Sequence, residues 1–311
     1  MMNELELLAR LLPALPTNDS VVLGAGDDCA VLELGLPGRW LLFKTDAVVE
    51  GVHFSPDTPP EKIGRKALAR ALSDIAAMAG TPTTALVTLG LPRAFDPARI
   101  ESIYAGLAEC ARQFGVAIAG GETTSNPGGL LISIALLGWV AQGKCLRRAG
   151  AQPNDGLFVT GELGGSLAGR HLDFEPRLTE ARWLAEHGEV HAMIDLSDGL
   201  ASDLRHLLTA SGVGAELRGQ SIPISRAARL AARAQRSAKP PLLAALTDGE
   251  DFELLFTVPP GGAVKLLDAW GRQFPKLPLT CIGKITADRR IVLHDKDGRK
   301  PFPEHGYVHF A

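Results

Sequence analysis

Cysteine is scarce in this chain and scattered: the four that occur, Cys29, Cys110, Cys145 and Cys281, form no CxxC pair. That spacing argues against both a disulfide framework and a zinc-binding pattern, and it fits a reducing compartment. No charge of one sign predominates either. The 32 basic and 35 acidic residues leave a net charge of −3, so no basic field advertises nucleic acid or an anionic membrane. Long apolar runs are missing too. The longest, Leu130 to Leu137 extended to Ala141, is too short to span a bilayer, and the N-terminal segment carries Glu4 and Glu6 with no basic signal-peptide stretch. The expected setting is the cytoplasm. What is present is 311 residues of ordinary globular composition, 46% hydrophobic and 22% charged, a length that predicts about two domains.

The elements follow from punctuation and period. Asn3 is placed to cap a helix that runs to Leu12 and stops at Pro13 and Pro16. Strands are expected at Cys29 to Leu34 and at Arg39 to Phe43 or Trp40 to Thr45. A long helix is expected from Pro60 to Ala79, with proline at its start and Gly80 at its end. Thr83 to Leu91 reads as a strand. Asp96, Pro97 and Gly115 mark the next helix. Val116 to Ala119 and Leu130 to Val140 read as strands. Periodicity lapses from Gly143 to Asp155, which sets a boundary between domains 1–145 and 146–311. Beyond it, strands near 157, 190, 214, 252, 280 and 291 alternate with helices, among them one from Leu163 to Leu172 and one from Leu200 to Ala210. The pattern is α+β with mixed sheets.

Acids recur where these elements end. The Arg39 strand delivers Asp46 into a loop, Gly24-Ala-Gly-Asp-Asp places Asp27 and Asp28 upstream, and Val116 to Ala119 runs into Gly120-Gly-Glu-Thr-Thr. Asp74 lies in a helix that is apolar on nearly every face, where a carboxylate needs a cation or hydrogen-bond donors and has no evident partner. Separated carboxylates of this kind suit a hard cation with oxygen ligands. The same aspartates also suit turns. Asp195-Leu-Ser-Asp-Gly-Leu joins a strand to a helix, where carboxylates and a hydroxyl sit beside helix N-terminal amides, although Ser197 or Asp198 would equally serve as a plain cap. Arg147 and Arg148 suit phosphate contact or simple solvation. Gly138 to Cys145 imitates a phosphate-binding P-loop, but cysteine stands where Ser or Thr should hold magnesium and no helix is expected after it.

In combination these segments point to a family. Gly24-Ala-Gly-Asp-Asp-Cys-Ala, Thr45-Asp-Ala-Val-Val-Glu-Gly-Val-His-Phe, Ser73-Asp-Ile-Ala-Ala-Met-Ala-Gly, Gly120-Gly-Glu-Thr-Thr, Asp195-Leu-Ser-Asp-Gly-Leu, Gly249-Glu-Asp-Phe-Glu-Leu and Gly306-Tyr-Val-His-Phe resemble the thiamine-monophosphate kinase family, in the same order over nearly the whole chain. The resemblance implies a two-domain AIR-synthase-like α+β fold, with an N-terminal α/β domain that pairs in a homodimer and a C-terminal α+β domain. It implies ATP and Mg²⁺ as cofactors and phosphorylation of thiamine monophosphate to thiamine diphosphate by direct in-line transfer, with no nucleic-acid or membrane partner. Residue by residue, Asp28, Thr45, Asp46, Asp74, Glu122, Asp195 and Asp198 match metal ligands. Tyr104, Gly121, Glu122, Arg148 and Ser197 match ATP-holding positions, while His53, Glu250 and Tyr307 match the thiamine end. Asp46, Asp74 and Arg148 are the expected catalytic set.

The acceptor in such a reaction is a phosphate oxygen, largely ionised at neutral pH because the second phosphate pKa is about 6. No general base is required, and catalysis becomes positioning plus charge neutralisation. Two residues depart from the family pattern: Lys44 stands where Ser or Thr is usual, and Glu122 where Asp is usual. A fixed ammonium at Lys44 is expected to replace part of one ion's charge. Other ATP-dependent synthases of the superfamily, and a non-catalytic nucleotide-binding dimer, are the alternative readings.

Overall fold

The computed structural model of the protein describes residues 4–235 and 239–307, so the cap expected at Asn3 and the end of the Gly306 motif lie outside the described residues. The chain forms two compact units, one of residues 19–145 and 171–179, the other of the remaining described residues. Helix α1 (Glu4–Leu11) belongs to the latter.

In the first unit the elements are β1 (Val21–Leu23), β2 (Ala30–Leu32), β3 (Arg39–Val49), α2 (Pro60–Ala77), β4 (Thr81–Leu91), α3 (Pro97–Phe114), β5 (Ala117–Ser125) and β6 (Leu131–Ala141). The six strands form one sheet in the order β1-β2-β3-β6-β4-β5. Side chains alternate across a strand, and here one face carries the buried Leu42, Val48, Val87, Leu89, Ile132, Ile134 and Leu136. That face lies on α2, which is itself buried on nearly every side. The opposite face exposes Phe43 and Leu86. Helix α3 begins where expected: the Asp96 carboxylate accepts from the Ala98 amide, and Gly115 closes it in the left-handed conformation at φ 69°.

Two strands outrun their expected ends. β3 continues to Val49, so Asp46 does not enter a loop; it sits in mid-strand, in register with Ile134 of β6. β5 runs on through both glycines to Ser125, which puts Glu122 beside Thr88 of β4. Polar residues and glycines read as loop signals, but here full-length pairing to β6 and β4 supplies the backbone hydrogen bonds.

The second unit contains β7 (Gly156–Thr160), α4 (Arg170–Asp173, which leads into the first unit), α5 (Leu178–His187), β8 (Ala192–Asp195), α6 (Leu200–Ser211), β9 (Gly214–Arg218), α7 (Arg226–Arg233), α8 (Pro241–Thr247), β10 (Leu254–Val258), α9 (Pro260–Gln273), β11 (Leu279–Thr286), β12 (Ile291–Asp295) and β13 (Gly298–Lys300). Its sheet has the order β13-β12-β9-β11-β7-β10-β8, with β9 and β12 parallel and the other pairs antiparallel. Leu157, Val159, Ile194, Leu204, Leu207, Leu255, Ile282 and Ile285 form its core. The helix expected from Leu163 to Leu172 is broken up, leaving only a 3-10 turn at Ser166–Ala168 and the single-turn α4. Gly164 (φ 81°) and Gly165 (φ 68°) turn the chain there, and their amides donate to Asp251 and Asp248 instead of to a helix ladder. No helix follows the P-loop-like Gly138 to Cys145, where β6 simply ends in a turn.

Helices α2 and α3 approach closely because two glycines face each other across the contact. A Cβ at Gly64 would stand 1.9 Å from the Ile103 carbonyl oxygen, and one at Gly106 would stand 1.9 Å from that of Glu61. Alanine would gain about 1 kcal/mol of helix propensity, but a Cβ forced this close to a backbone oxygen costs about 3 kcal/mol, the upper end of overpacking. Gly106→Ala is therefore expected to lower the unfolding free energy by about 2 kcal/mol, read as a lower urea midpoint; an unchanged or higher midpoint would refute the close contact.

Candidate functional site

β3 and α2 build one half of the candidate set. Leu42, Lys44, Asp46 and Val48 share the α2-facing side of β3, and Lys66, Arg70 and Asp74 recur at i, i+4 and i+8, along one stripe of α2. The charges cross-pair. Lys44 Nζ donates to Asp74 Oδ1 at 2.8 Å, and Arg70 Nε donates to Asp46 Oδ2 at 3.0 Å. Asp46 Oδ1 also accepts from the Ala47 amide at 2.8 Å. Burial pushes the Asp46 carboxyl up, but the charges of Arg70 and then Lys44 outweigh it and hold it below the ordinary value. Burial likewise opposes the Lys44 charge, yet Asp74 and Asp46 raise its pKa well above the usual lysine range. The expectation that Asp74 has no partner is thus corrected: Lys44, the residue that departs from the family pattern, is its ion-pair partner. Asp28 is buried in the loop before β2, and the neighbouring Cys29 thiol is pushed well above its ordinary value by burial and then by Asp74, as for an inert apolar residue.

The structure does not bring every expected ligand to this side. Thr45 faces the other way, its hydroxyl 3.4 Å from that of Ser133. Glu122 pairs with Thr88, between the buried Val87 and Leu89, and so also lies on the face away from α2. Gly121 has a packing reason of its own, since a Cβ there would stand 1.8 Å from the Val87 carbonyl oxygen. Tyr104 lies half-buried on α3, and burial raises its hydroxyl pKa. His53 sits in the turn after β3, where its Nδ1 accepts the Val49 amide proton at 3.1 Å.

In the second unit Asp195 is the buried last residue of β8, and the turn after it is laced to residues 250–253. Leu196 N donates to Glu253 O, Phe252 N to Leu196 O and Glu250 N to Ser197 O, at 2.9, 2.8 and 2.6 Å; Tyr307 N donates to Asp198 O at 2.8 Å. Ser197, Asp198, Glu250 and Tyr307, chosen from separate stretches of sequence, are thereby brought together. Glu250 and Phe252 hold positive φ values of 54° and 51°, a conformation of the order of 1–3 kcal/mol that persists only where the surroundings over-determine it. The N-cap position of helix α6 is Gly199, so neither Ser197 nor Asp198 occupies it.

Asp203 and His206 on α6 went unnoticed in the sequence. The ligand atoms of Asp198, Asp203 and His206 lie within 4.8 Å of one another. Burial, then the charges of Asp198 and Asp195, push the Asp203 carboxyl well above its ordinary value, and Arg148 only partly offsets them. Crowded carboxylate oxygens of this kind fit a hard divalent cation, which would relieve their repulsion. The available signal was an acid at position 203 beside the apolar Leu200, Leu204 and Leu207 of one helix.

Asp251 and Glu253 support the turn from behind. Asp251 accepts from the Gly164 amide at 2.9 Å and from Arg170 at 2.5 Å, and Glu253 accepts from the Thr160 hydroxyl at 2.7 Å. Burial raises the Asp251 carboxyl to about 7 against the opposing pull of Arg170 and the Gly164 amide. A folded pKa above the unfolded value of about 3.9 means that the native state binds the extra proton, so this contribution is full at low pH and is lost as pH rises from about 4 to 7. Across that window the stability of the wild type is expected to fall relative to that of Asp251→Asn, measured by urea unfolding at each pH; a constant difference would sink the assignment.

Comparison with known proteins adds an independent line. The family described as AIR synthase related protein, N-terminal domain, matches residues 26–140, and its C-terminal domain counterpart matches residues 126–296. The chain is 44% identical to thiamine-monophosphate kinase of Rhodopirellula baltica, covering 93% of this chain and 92% of that one. It is 36% identical to the Escherichia coli K12 protein of the same name, over 99% and 98% of the two chains. Among solved structures it is similar to AaThiL complexed with AMPPCP and TMP, with a TM-score of 0.83, 29% identity and coverage of 99% and 97%.

Proposed function

The chain belongs to the thiamine-monophosphate kinase family, and from that premise we propose that it transfers a phosphoryl group from ATP to thiamine monophosphate, giving thiamine diphosphate. The observation that carries the reading is the turn at 195–198: a buried strand-end carboxylate, a hydroxyl and a second acid just ahead of the α6 N-cap, all fixed to the Glu250 and Tyr307 segments. It agrees with relatives of the same name that match over nearly the whole chain and with a similar structure that holds an ATP analogue and TMP.

In this reading Asp28, Asp46, Asp74, Asp195 and Asp198 are the Mg²⁺ ligands, whereas Thr45 and Glu122, expected among them, lie on the sheet face away from α2. Mg²⁺ bound there would neutralise phosphate charge and align donor and acceptor oxygens. Arg148 adds a planar fork for phosphate, Ser197, Tyr104 and Gly121 face the nucleotide, and His53, Glu250 and Tyr307 face the acceptor. Asp46, held ionised by Arg70 and Lys44, offers an acceptor-only oxygen pair at neutral pH. Asp74 already shares its charge with Lys44, so fewer ions are expected here than in relatives with Ser or Thr at that position. Residues 1–145 and 146–311 are the functional domains in this reading. A homodimer is supported by the exposure of Phe43 (45%) and Leu86 (49%) on the open sheet face and by the edge strand β5. Four free cysteines support a reducing, cytoplasmic setting, and among the described residues no helix is long and apolar enough to cross a membrane.

Incubation with ATP, Mg²⁺ and thiamine monophosphate should yield thiamine diphosphate; ATP consumed without it would refute the acceptor. Asp46→Asn is expected to abolish turnover while the protein remains folded. Lys44→Thr releases Asp74 from its ion pair and should raise the Mg²⁺ stoichiometry or steepen the Mg²⁺ dependence of the rate, and unchanged values of both would show that the lysine substitutes for no ion.

A further inference from the structure

Lys66 is the third charged residue of the α2 stripe, and the function proposed above does not use it. It is completely buried. An ammonium removed from water demands strong acceptors, and two are in place: the His53 carbonyl oxygen at 2.6 Å and His171 Nδ1 at 2.8 Å. The His53 turn is held elsewhere as well. His53 N donates to Val49 O at 2.9 Å, Gly51 N to Phe54 O at 2.8 Å, and the Val49 amide to His53 Nδ1. Because Nδ1 accepts the hydrogen bond of the Val49 amide, the neutral imidazole carries its own proton on Nε2. Backbone and ring of His53 are therefore fixed together.

The other acceptor, His171, belongs to a segment gripped by the same helix. Lys62 pairs with Asp173 at 2.6 Å, Arg65 with Glu175 at 2.7 Å, and Gln113 Nε2 donates to Glu175 at 2.9 Å. Lys62, Arg65 and Lys66 occupy one face of α2 at i, i+3 and i+4, so residues 171–175 are held in a single register along it. The Lys62 and Arg65 pairs are partly exposed and add little each. Lys66 is different, because it is buried and reaches the turn that carries a residue assigned to the acceptor.

We propose that Lys66 is a positioning residue for the acceptor substrate: it clamps the turn that carries His53 in one conformation, and His171 orients the ammonium that does this. The proposal rests on the reading of His53 as a residue facing thiamine monophosphate. It implies that loss of the clamp weakens the acceptor and spares the nucleotide.

Calorimetric titration of the full chain with thiamine monophosphate, in the presence of Mg²⁺ and a non-hydrolysable ATP analogue, tests it without requiring turnover. Lys66→Met should weaken the acceptor Kd by about tenfold, equivalent to about 1.4 kcal/mol, while the Kd of the ATP analogue stays within about twofold. His171→Ala should weaken the acceptor in the same selective way, and His171→Gln, whose amide oxygen can accept from Lys66, should restore it. That pair decides the matter if Lys66→Met does not fold. Equal weakening of both ligands, an unchanged acceptor Kd, or no restoration by glutamine would overturn the proposal while leaving the kinase reading in place. Failure of the wild type to bind thiamine monophosphate would overturn the kinase reading and the positioning role with it.

Discussion

The first unit depends on a helix that is buried on nearly all sides and still carries charge. α2 brings Lys66, Arg70 and Asp74 under the sheet at four-residue intervals, about 12 Å from first to last. Each must find its counterpart there, because an isolated buried charge is far too costly to keep. The counterparts come in reverse order from the strand above, the His53 carbonyl, then Asp46, then Lys44, since the helix runs back along the strand and turn that precede it. Such pairs add little net stability, but removing one partner from a buried pair costs about 3–5 kcal/mol. What they confer is register: a slip of β3 by one residue would turn Lys44 and Asp46 to the opposite face and strand every partner on α2.

The same constraint explains why the two groups of acids behave differently. In the first unit Asp46 and Asp74 are matched by a guanidinium and an ammonium of the chain itself. In the second, Asp195, Asp198 and Asp203 crowd one another, and burial with the charges of Asp198 and Asp195 drives the Asp203 carboxyl upward against the opposing pull of Arg148 and the Asp198 amide. Protein-supplied cations fix geometry permanently, whereas a crowd of like charges is stabilised most by a cation that arrives from solution. The second group therefore offers a divalent ion the larger electrostatic gain, and the first group offers the firmer template.

Legibility varied with the range of the forces involved. Asp96, Pro97 and Gly115 mark α3 locally, and their cap and left-handed residue form as expected. The α6 start at Leu200 was legible for a similar reason, because an apolar strand and an apolar helix flank the Asp195 turn. Glycines and acids were misleading where distant pairing supplied the missing hydrogen bonds: Asp46 and Glu122 look like loop residues and are strand residues. Leu163 to Leu172 looks helical by composition, yet Gly164 and Gly165 give their amides to acids some 85 residues away. None of those partners lies within the window in which periodicity is read.

The sequence by itself determined the family and the two-domain α+β class, because those reside in residue identity and in short-range order along the chain, while Asp203 on α6 went unnoticed. It could not determine which acids carry their own counter-ion. That Asp74 meets Lys44, that Asp46 meets Arg70 and that Lys66 reaches the His53 turn depends on a helix crossing under a strand, which brings together residues 13 to 30 positions apart. Nor could it separate Thr45 from its neighbours Lys44 and Asp46, a distinction made only once pleating assigned the strand two faces. Charge pairing acts over a few ångströms of space and is indifferent to distance along the chain, so only the tertiary structure decided it.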